Sequence, residues 1–199
     1  HPTIRSSLKR AIECTAEAGG KICIIHPDNN KSAEQNAEMY RELLPFAKEY
    51  GVKIATENMW NWSREKNESS FAACATGEDF KKHIDVINDE YFVACLDLGH
   101  AEMRGSGDGA PHMIRTLGHR LQALHMHDND RHHDSHQIPF SMNIDFDAIL
   151  RALKEIGYSG DFTLEADAFL KDYSNENVLD GVIKLRESAT ELARRFEKL

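Results

Sequence analysis

The feature that most restricts the fold of this chain is a regular alternation. Short apolar runs stop at a histidine, glutamate or aspartate, and an amphipathic stretch separates each run from the next. Lys21–His26, Val52–Glu57, Phe92–Asp97, Leu121–His127 and Asp161–Glu165 read as strands, being brief, apolar and bounded by turn residues. Helices are expected over Ser32–Tyr50, Gly77–Ile87, Pro111–Leu117, Phe146–Ile156 and Asn175–Phe196, after an opening helix at Ile4–Ala18. Gly19-Gly20, Gly51 and Gly157 supply the stops and Ser32 an N-cap, since glycine tolerates the left-handed residue that ends a helix and serine accepts from an exposed backbone N–H. Strands alternating with helices of this length imply parallel βαβ units. Five strand–helix units follow one leading helix.

In parallel α/β folds, ligands and chemistry gather at the C-terminal ends of the strands. Those ends here carry His26, Glu57, Asp97, His125 with His127, and Glu165. One such residue is unremarkable as a cap or a surface ion pair; the full set in phase with the strands is not a demand of core packing. Glu57, Asp97, His125 and Glu165 are expected to converge on one rim. Three crowded carboxylates repel and favour protonation unless a cation lies among them. One divalent metal ion resolves that conflict. The mostly hard donor set suits Mn²⁺ first, or Mg²⁺, and the imidazole admits Zn²⁺ or Co²⁺.

Further polar residues trail these ends. His100 lies three past Asp97, Arg131 lies six past His125, and Asp134 and His136 stand just beyond. With His26 and His127, they can bind substrate hydroxyls, orient ligands or hold additional metal. Trp60 and Trp62 follow Glu57 closely and read either as an apolar wall for a sugar or as a cover for the mouth. His132 and His133 read as a solvated loop, and His83, His112 and His119 as structural or surface residues.

Composition narrows the partners. The 199 residues carry a formal net charge of −9, which argues against a strongly basic nucleic-acid surface. No apolar run is long enough to span a bilayer, and no signal-peptide pattern opens the chain. Four cysteines lie scattered without a CxxC pair, so no disulfide framework is expected and a cytoplasmic location is. Cys23 and Cys95 read as small core residues. Eleven histidines are unusual, and seven fall between His100 and His133 with an eighth at His136.

The segments Ile24-Ile-His-Pro, Ile54-Ala-Thr-Glu-Asn, Leu96-Asp-Leu-Gly-His, Leu124-His-Met-His-Asp-Asn-Asp, Asp134-Ser-His and Ile144-Asp-Phe-Asp-Ala-Ile-Leu, with Ile156 through Glu165, give nearly the whole chain its likeness. It resembles the sugar phosphate isomerase/epimerase group of the xylose isomerase-like TIM barrels, related to ketose 3-epimerases, inosose dehydratases and endonuclease IV. The resemblance implies an α/β (β/α)8 barrel, of which this chain holds the last five strand–helix units in one domain over residues 1–199. The first three strands are then missing, and either a longer natural protein or a homo-oligomer covers the open edge. It also implies that Glu57, Asp97, His125 and Glu165 bind one metal, with His125 preferred to His127 as ligand because Asp128 supplies the acid of the family pattern. His100 and Arg131 contact substrate, with Trp60 beside them, and Glu57 and Glu165 form an acid/base pair.

The activity so implied is proton transfer next to the carbonyl of a sugar or sugar phosphate, through an enediolate that the metal stabilises. Epimerisation, aldose–ketose isomerisation and an inosose-type dehydration share that site. A zinc-dependent abasic-site endonuclease is the rival, because His26, His100, Asp134 and His136 match further zinc ligands of that family; the charge of −9 opposes it. A non-catalytic sugar-binding protein is another. Two departures stand out. Pro139-Phe-Ser-Met-Asn143 lacks the family's glycine turn, and Ser63 stands where the epimerases carry an acidic substrate-binding residue.

Overall fold

Helix punctuation is where the sequence turns most directly into structure. Ser32 accepts from the Gln35 N–H while the Gln35 side chain accepts from the Ser32 N–H, a reciprocal capping box at the start of a helix. Gly51 ends the same helix at φ 64°, a left-handed conformation that glycine adopts without a Cβ penalty. The computed structural model describes residues 2–199. Its elements are α1 (Pro2–Glu17), β1 (Ile22–Ile24), α2 (Ala33–Tyr50), β2 (Lys53–Glu57), β3 (Asn61–Ser63), β4 (Glu68–Ser70) and α3 (Gly77–Asp85). Then come β5 (Phe92–Asp97), α4 (Leu98–Glu102), α5 (Ala110–Leu117), β6 (Leu121–Met126), α6 (Phe146–Glu155), β7 (Thr163–Leu164) and α7 (Val178–Glu197).

Five strands form one parallel sheet in the order β1-β2-β5-β6-β7. This is an α/β partial barrel, with the five strands in the places expected. Their lengths differ from expectation at the margins. Among the described residues β1 and β7 have a partner on one side only, so their ladders run out early and leave His26 and Glu165 beyond the strand ends. β5 sits in the middle and all six of its residues are buried, as befits a parallel strand covered on both faces.

Successive side chains of a strand point to opposite faces. On one face Ala55, Val93 and Cys95 make a small buried cluster, with Ile22, Ile24 and Ala123 against it. On the other, a larger core packs the helices, including Tyr40, Phe80, Phe92, Leu96, Ile114 and Phe146. The Tyr40 hydroxyl is satisfied there, donating to Ile25 O at 2.9 Å beside Thr56 Oγ1 at 2.8 Å. Cys23, Cys74 and Cys95 are buried free thiols and Cys14 is an exposed one.

Two pieces were not anticipated. The antiparallel hairpin of β3 and β4 has three-residue strands with no apolar alternation. α4 has five residues, and its start is set by the Asp97 carboxylate, which caps it by accepting from the His100 N–H at 2.7 Å. The loop without its glycine turn is held another way. Phe140 takes φ 73°, and the buried Asp128 carboxylate accepts from Met142 N at 2.8 Å and Ile144 N at 3.0 Å. A left-handed non-glycine residue costs on the order of 1–3 kcal/mol. The Phe140 ring, packed on Phe146 and under the Arg195 guanidinium, helps offset it.

Candidate metal centre

Four neighbouring strands each bring one donor to the same end of the sheet. Glu57 and Asp97 are the last residues of β2 and β5, and His125 on β6 lies opposite Asp97 in register. Glu165 follows β7, its N–H donating to Met126 O at 3.0 Å. One ligating atom from each of the four lies within 4.8 Å of the others. His125 Nδ1 stands 3.3 Å from Glu57 Oε1 and 2.8 Å from Glu165 Oε2. Because the sheet order is β2-β5-β6-β7, the two glutamates flank the group, with Asp97 and His125 between them.

Backbone bracing fixes the middle of the group. Asn58 Nδ2 donates to Asp97 O at 2.9 Å, and Asp97 N donates to Asn58 Oδ1 at 2.8 Å. That reciprocal pair locks the ends of β2 and β5 together. Asn58 was missed as a functional residue in the sequence, where only its place after Glu57 marks it.

The electrostatics are those of a site short of positive charge. Burial opposes ionisation of Asp97, yet His100 and His127 hold its carboxyl well below the ordinary range. Burial likewise pushes Glu57 up, but hydrogen bonds from His125 and His26 keep it below its ordinary value. Burial disfavours a charged His125, and its contacts with Cys95, Glu165 and Glu57 raise it far above its ordinary value nonetheless. Asp97 Oδ2 is buried and accepts no hydrogen bond. Such an orphan is costly unless a cation meets it. With three oxygen donors and one imidazole around it, the donor set fits a divalent ion.

A second group stands beside the first. His100, His127, Asp134 and His136 also bring one ligating atom each to within 4.8 Å of one another. His100 Nε2 and His136 Nε2 both lie 3.2 Å from Asp134 Oδ2. Their other ring nitrogens lie 2.9 Å from Asn58 O and 2.7 Å from Glu165 O. A ring that donates to a carbonyl through Nδ1 leaves Nε2 free as a ligand. The two carboxylates of the pairings, Asp134 and Asp97, push His100 up to about 10 against its burial, and Asp134 lifts His136 to about 9. His127 is fully buried, with Nε2 at 3.1 Å from Asp97 Oδ1 and its ring stacked on His136 at 4.1 Å. Gly99 makes that possible, since a Cβ there would meet the His127 ring at 1.9 Å.

The remaining candidates fall around these groups. His26 is exposed, with Nε2 at 3.1 Å from Glu57 Oε2. Trp60 donates from Nε1 to Asp134 Oδ2 at 3.2 Å, tying the aromatic wall to the second group. Trp62 is exposed and packs against His132 and His133. Arg131 pairs with Glu102, whose other oxygen accepts from Ala110 N, so its guanidinium braces the loop after α4. Ser63 sits in the hairpin and accepts from Lys66 N at 3.3 Å. His83 is buried beside Asn36, and His112 is an exposed partner of Asp108.

Comparisons with known proteins bear on the fold that carries these groups. The family model for the xylose isomerase-like TIM barrel matches residues 3–188. The uncharacterized protein MJ1311 of Methanocaldococcus jannaschii is 26% identical over 184 residues, which is 88% of this chain and 57% of that protein. The chain therefore spans little more than half the length of that relative. Among solved structures, a D-tagatose 3-epimerase-like protein superposes with a TM-score of 0.72 at 22% identity, over 96% of this chain and 70% of the other. The IOLI protein with a bound zinc atom superposes with a TM-score of 0.71 at 19% identity, over 96% of this chain and 69% of the other.

Proposed function

We propose, from the premise that the chain belongs to the xylose isomerase-like TIM barrel family, that it carries the metal-binding part of a sugar or sugar phosphate isomerase/epimerase. The observation that supports this most is the convergence of Glu57, Asp97, His125 and Glu165, with a glutamate on each flank. One divalent ion, Mn²⁺ before Mg²⁺, Co²⁺ or Zn²⁺, suits those four donors. When bound, the ion supplies polarisation of a substrate carbonyl.

The chain's own residues do the rest. Glu57, kept ionised by His125 and His26, is placed to accept a proton from the carbon beside that carbonyl. Glu165, on the opposite flank, is placed to return one. His100 and Trp60 line the mouth above them, and His26 reaches it from the rim beyond β1. Return to the opposite face of the same carbon gives epimerisation; return to the neighbouring carbon gives isomerisation. The names of the structural neighbours, ketose epimerases among them, agree with a sugar substrate. Residues 1–199 are read as one domain whose open edges at β1 and β7 are covered either by further strands of a longer protein or by a second copy of the chain.

The test is deuterium incorporation from solvent into a panel of ketoses and ketose phosphates. Exchange beside the carbonyl, lost in Glu165→Gln, is the expected result. Exchange that persists unchanged in that variant contradicts the acid/base assignment.

A second reading has one observation in its favour. The His100–His127–Asp134–His136 group can hold another ion, for which the imidazoles suit zinc, and a multi-zinc mouth fits phosphodiester cleavage at abasic sites. The net charge of −9 opposes duplex binding. Cleavage of an abasic-site duplex by the purified protein would establish that reading over the first.

A further inference from the structure

One layer below the mouth, two residues back from each donor, the inward face carries Ala55, Cys95, Ala123 and the exposed Thr163. Val93, Cys95 and Asp97 share a face of β5, so Cys95 lies about 6–7 Å deeper than Asp97 along the strand. It is fully buried, pairs in register with Glu57 on β2 and Ala123 on β6, and packs with Ala55 and Val93. As a packing residue it needs no polar neighbour, yet its sulfur stands beside the His125 imidazole and the Glu57 carboxylate. One ligating atom from each of Glu57, Cys95 and His125 lies within 4.8 Å of the others. Asp97, wholly buried, leaves Oδ2 without a hydrogen bond beside the same Glu57 and His125.

We propose that Glu57, Cys95 and His125 form an alternative, deeper seat for a thiophilic ion such as Cd²⁺ or Zn²⁺. The inference rests on the proposed mouth centre to the extent that the two seats share Glu57 and His125 and so exclude each other. A sulfur donor favours soft and borderline ions, whereas carboxylates favour Mg²⁺ and Mn²⁺. In the binding step the Cys95 S–H bond breaks and a sulfur–metal bond forms, the His125 imidazolium gives up one ring proton and a nitrogen–metal bond forms, and both protons leave to solvent with no change of oxidation state. A thiophilic ion in the deeper seat withdraws two of the four donors from the mouth, so it competes with the hard ion instead of substituting for it.

The experiment titrates Cd²⁺ into the metal-free protein and reads the ultraviolet thiolate-to-cadmium charge-transfer band. Cys14→Ser serves as background because Cys14 is the exposed thiol. Mn²⁺ binding is followed in parallel by electron paramagnetic resonance. The expected result is a band of one equivalent in Cys14→Ser that disappears when Cys95→Ser or Cys95→Ala is added. Mn²⁺ binding survives in all variants, and Cd²⁺ displaces Mn²⁺ roughly tenfold or more less effectively without Cys95. A band unchanged by Cys95 substitution, or no band, overturns the deeper seat whether or not Mn²⁺ binds. A Cys95-dependent band with no Mn²⁺ binding supports the deeper seat and overturns the mouth centre. Two substitutions are used so that the loss of the band does not depend on the effect of a serine hydroxyl in the core.

Discussion

The two side-chain groups at the mouth lie side by side and are built from opposite materials. Glu57, Asp97, His125 and Glu165 are three carboxylates and one imidazole; His100, His127, Asp134 and His136 are three imidazoles and one carboxylate. The first is delivered by strands and their ends, the second by a short helix and the loops past β6. They are joined at Asp97, whose Oδ1 faces His127 while its Oδ2 stays unpartnered, and through the carbonyls of Asn58 and Glu165 that meet the rings of His100 and His136. Strand ends therefore set a hard, acidic group, and the loops add a nitrogen-rich one that holds it in place.

The strongest way to break that distinction is to remove what the groups share. Asp97→Asn is expected to weaken metal binding at both groups, by at least ~10²-fold at the first, where a ligand charge is lost. Titration calorimetry with Mn²⁺ and with Zn²⁺ reads the two losses. Retention of both affinities would show that Asp97 belongs to neither.

Gly99→Ala separates the groups. The added Cβ would lie 1.9 Å from the His127 ring, so that ring must move. A destabilisation of ~1–3 kcal/mol is expected from the overpacking, with the Zn²⁺ held by the histidine group lost from the stoichiometry and Mn²⁺ binding kept. Chemical denaturation and metal stoichiometry on the same preparation check both parts.

The legibility of the two groups differs for the same structural reason. The carboxylate group could be read from the sequence because each donor closes an apolar run, and the period of a parallel strand fixes which way its last residue faces. Glu57, Asp97 and His125 needed no knowledge of loops. The histidine group is assembled by α4, whose start depends on an Asp97 cap, and by a loop that Asp128 and Phe140 shape. Neither leaves a periodic trace, so His100, His127, Asp134 and His136 were named with His26 as residues to hold additional metal or orient ligands, but their separation from His26 into one cluster appears only in the structure. Asn58 and Gly99 were invisible as supports, since bracing and close approach appear only in three dimensions. The same holds for Arg131, which the loop hands to Glu102, and for the hairpin of β3 and β4.

Acidity sharpens the contrast further. In the metal-free protein His100 is raised to about 10 and His136 to about 9 from an ordinary 6.5. A histidine whose folded value is raised stabilises the fold fully below 6.5 and ceases to as pH climbs through the folded value. The melting temperature of the metal-free protein is therefore expected to fall from near-neutral pH toward pH 9–10. With Zn²⁺ bound the imidazoles are deprotonated ligands, so affinity rises over the same range and the fall is reversed. A metal-free stability that is flat or rising across that window contradicts the assigned contacts. The smallest effect is expected from Trp60→Phe, which removes one hydrogen bond to Asp134, worth ~0.5–1.5 kcal/mol, and leaves Mn²⁺ binding unchanged.

The most direct test of the account is the Mn²⁺ stoichiometry of the metal-free chain, measured by electron paramagnetic resonance in the wild type and in Glu57→Gln, Asp97→Asn, His125→Gln and Glu165→Gln. Convergence of the four donors predicts one tightly held Mn²⁺ that every one of these substitutions weakens. Tight binding that survives any two of them, or no binding in the wild type, would mean that the strand ends do not share an ion.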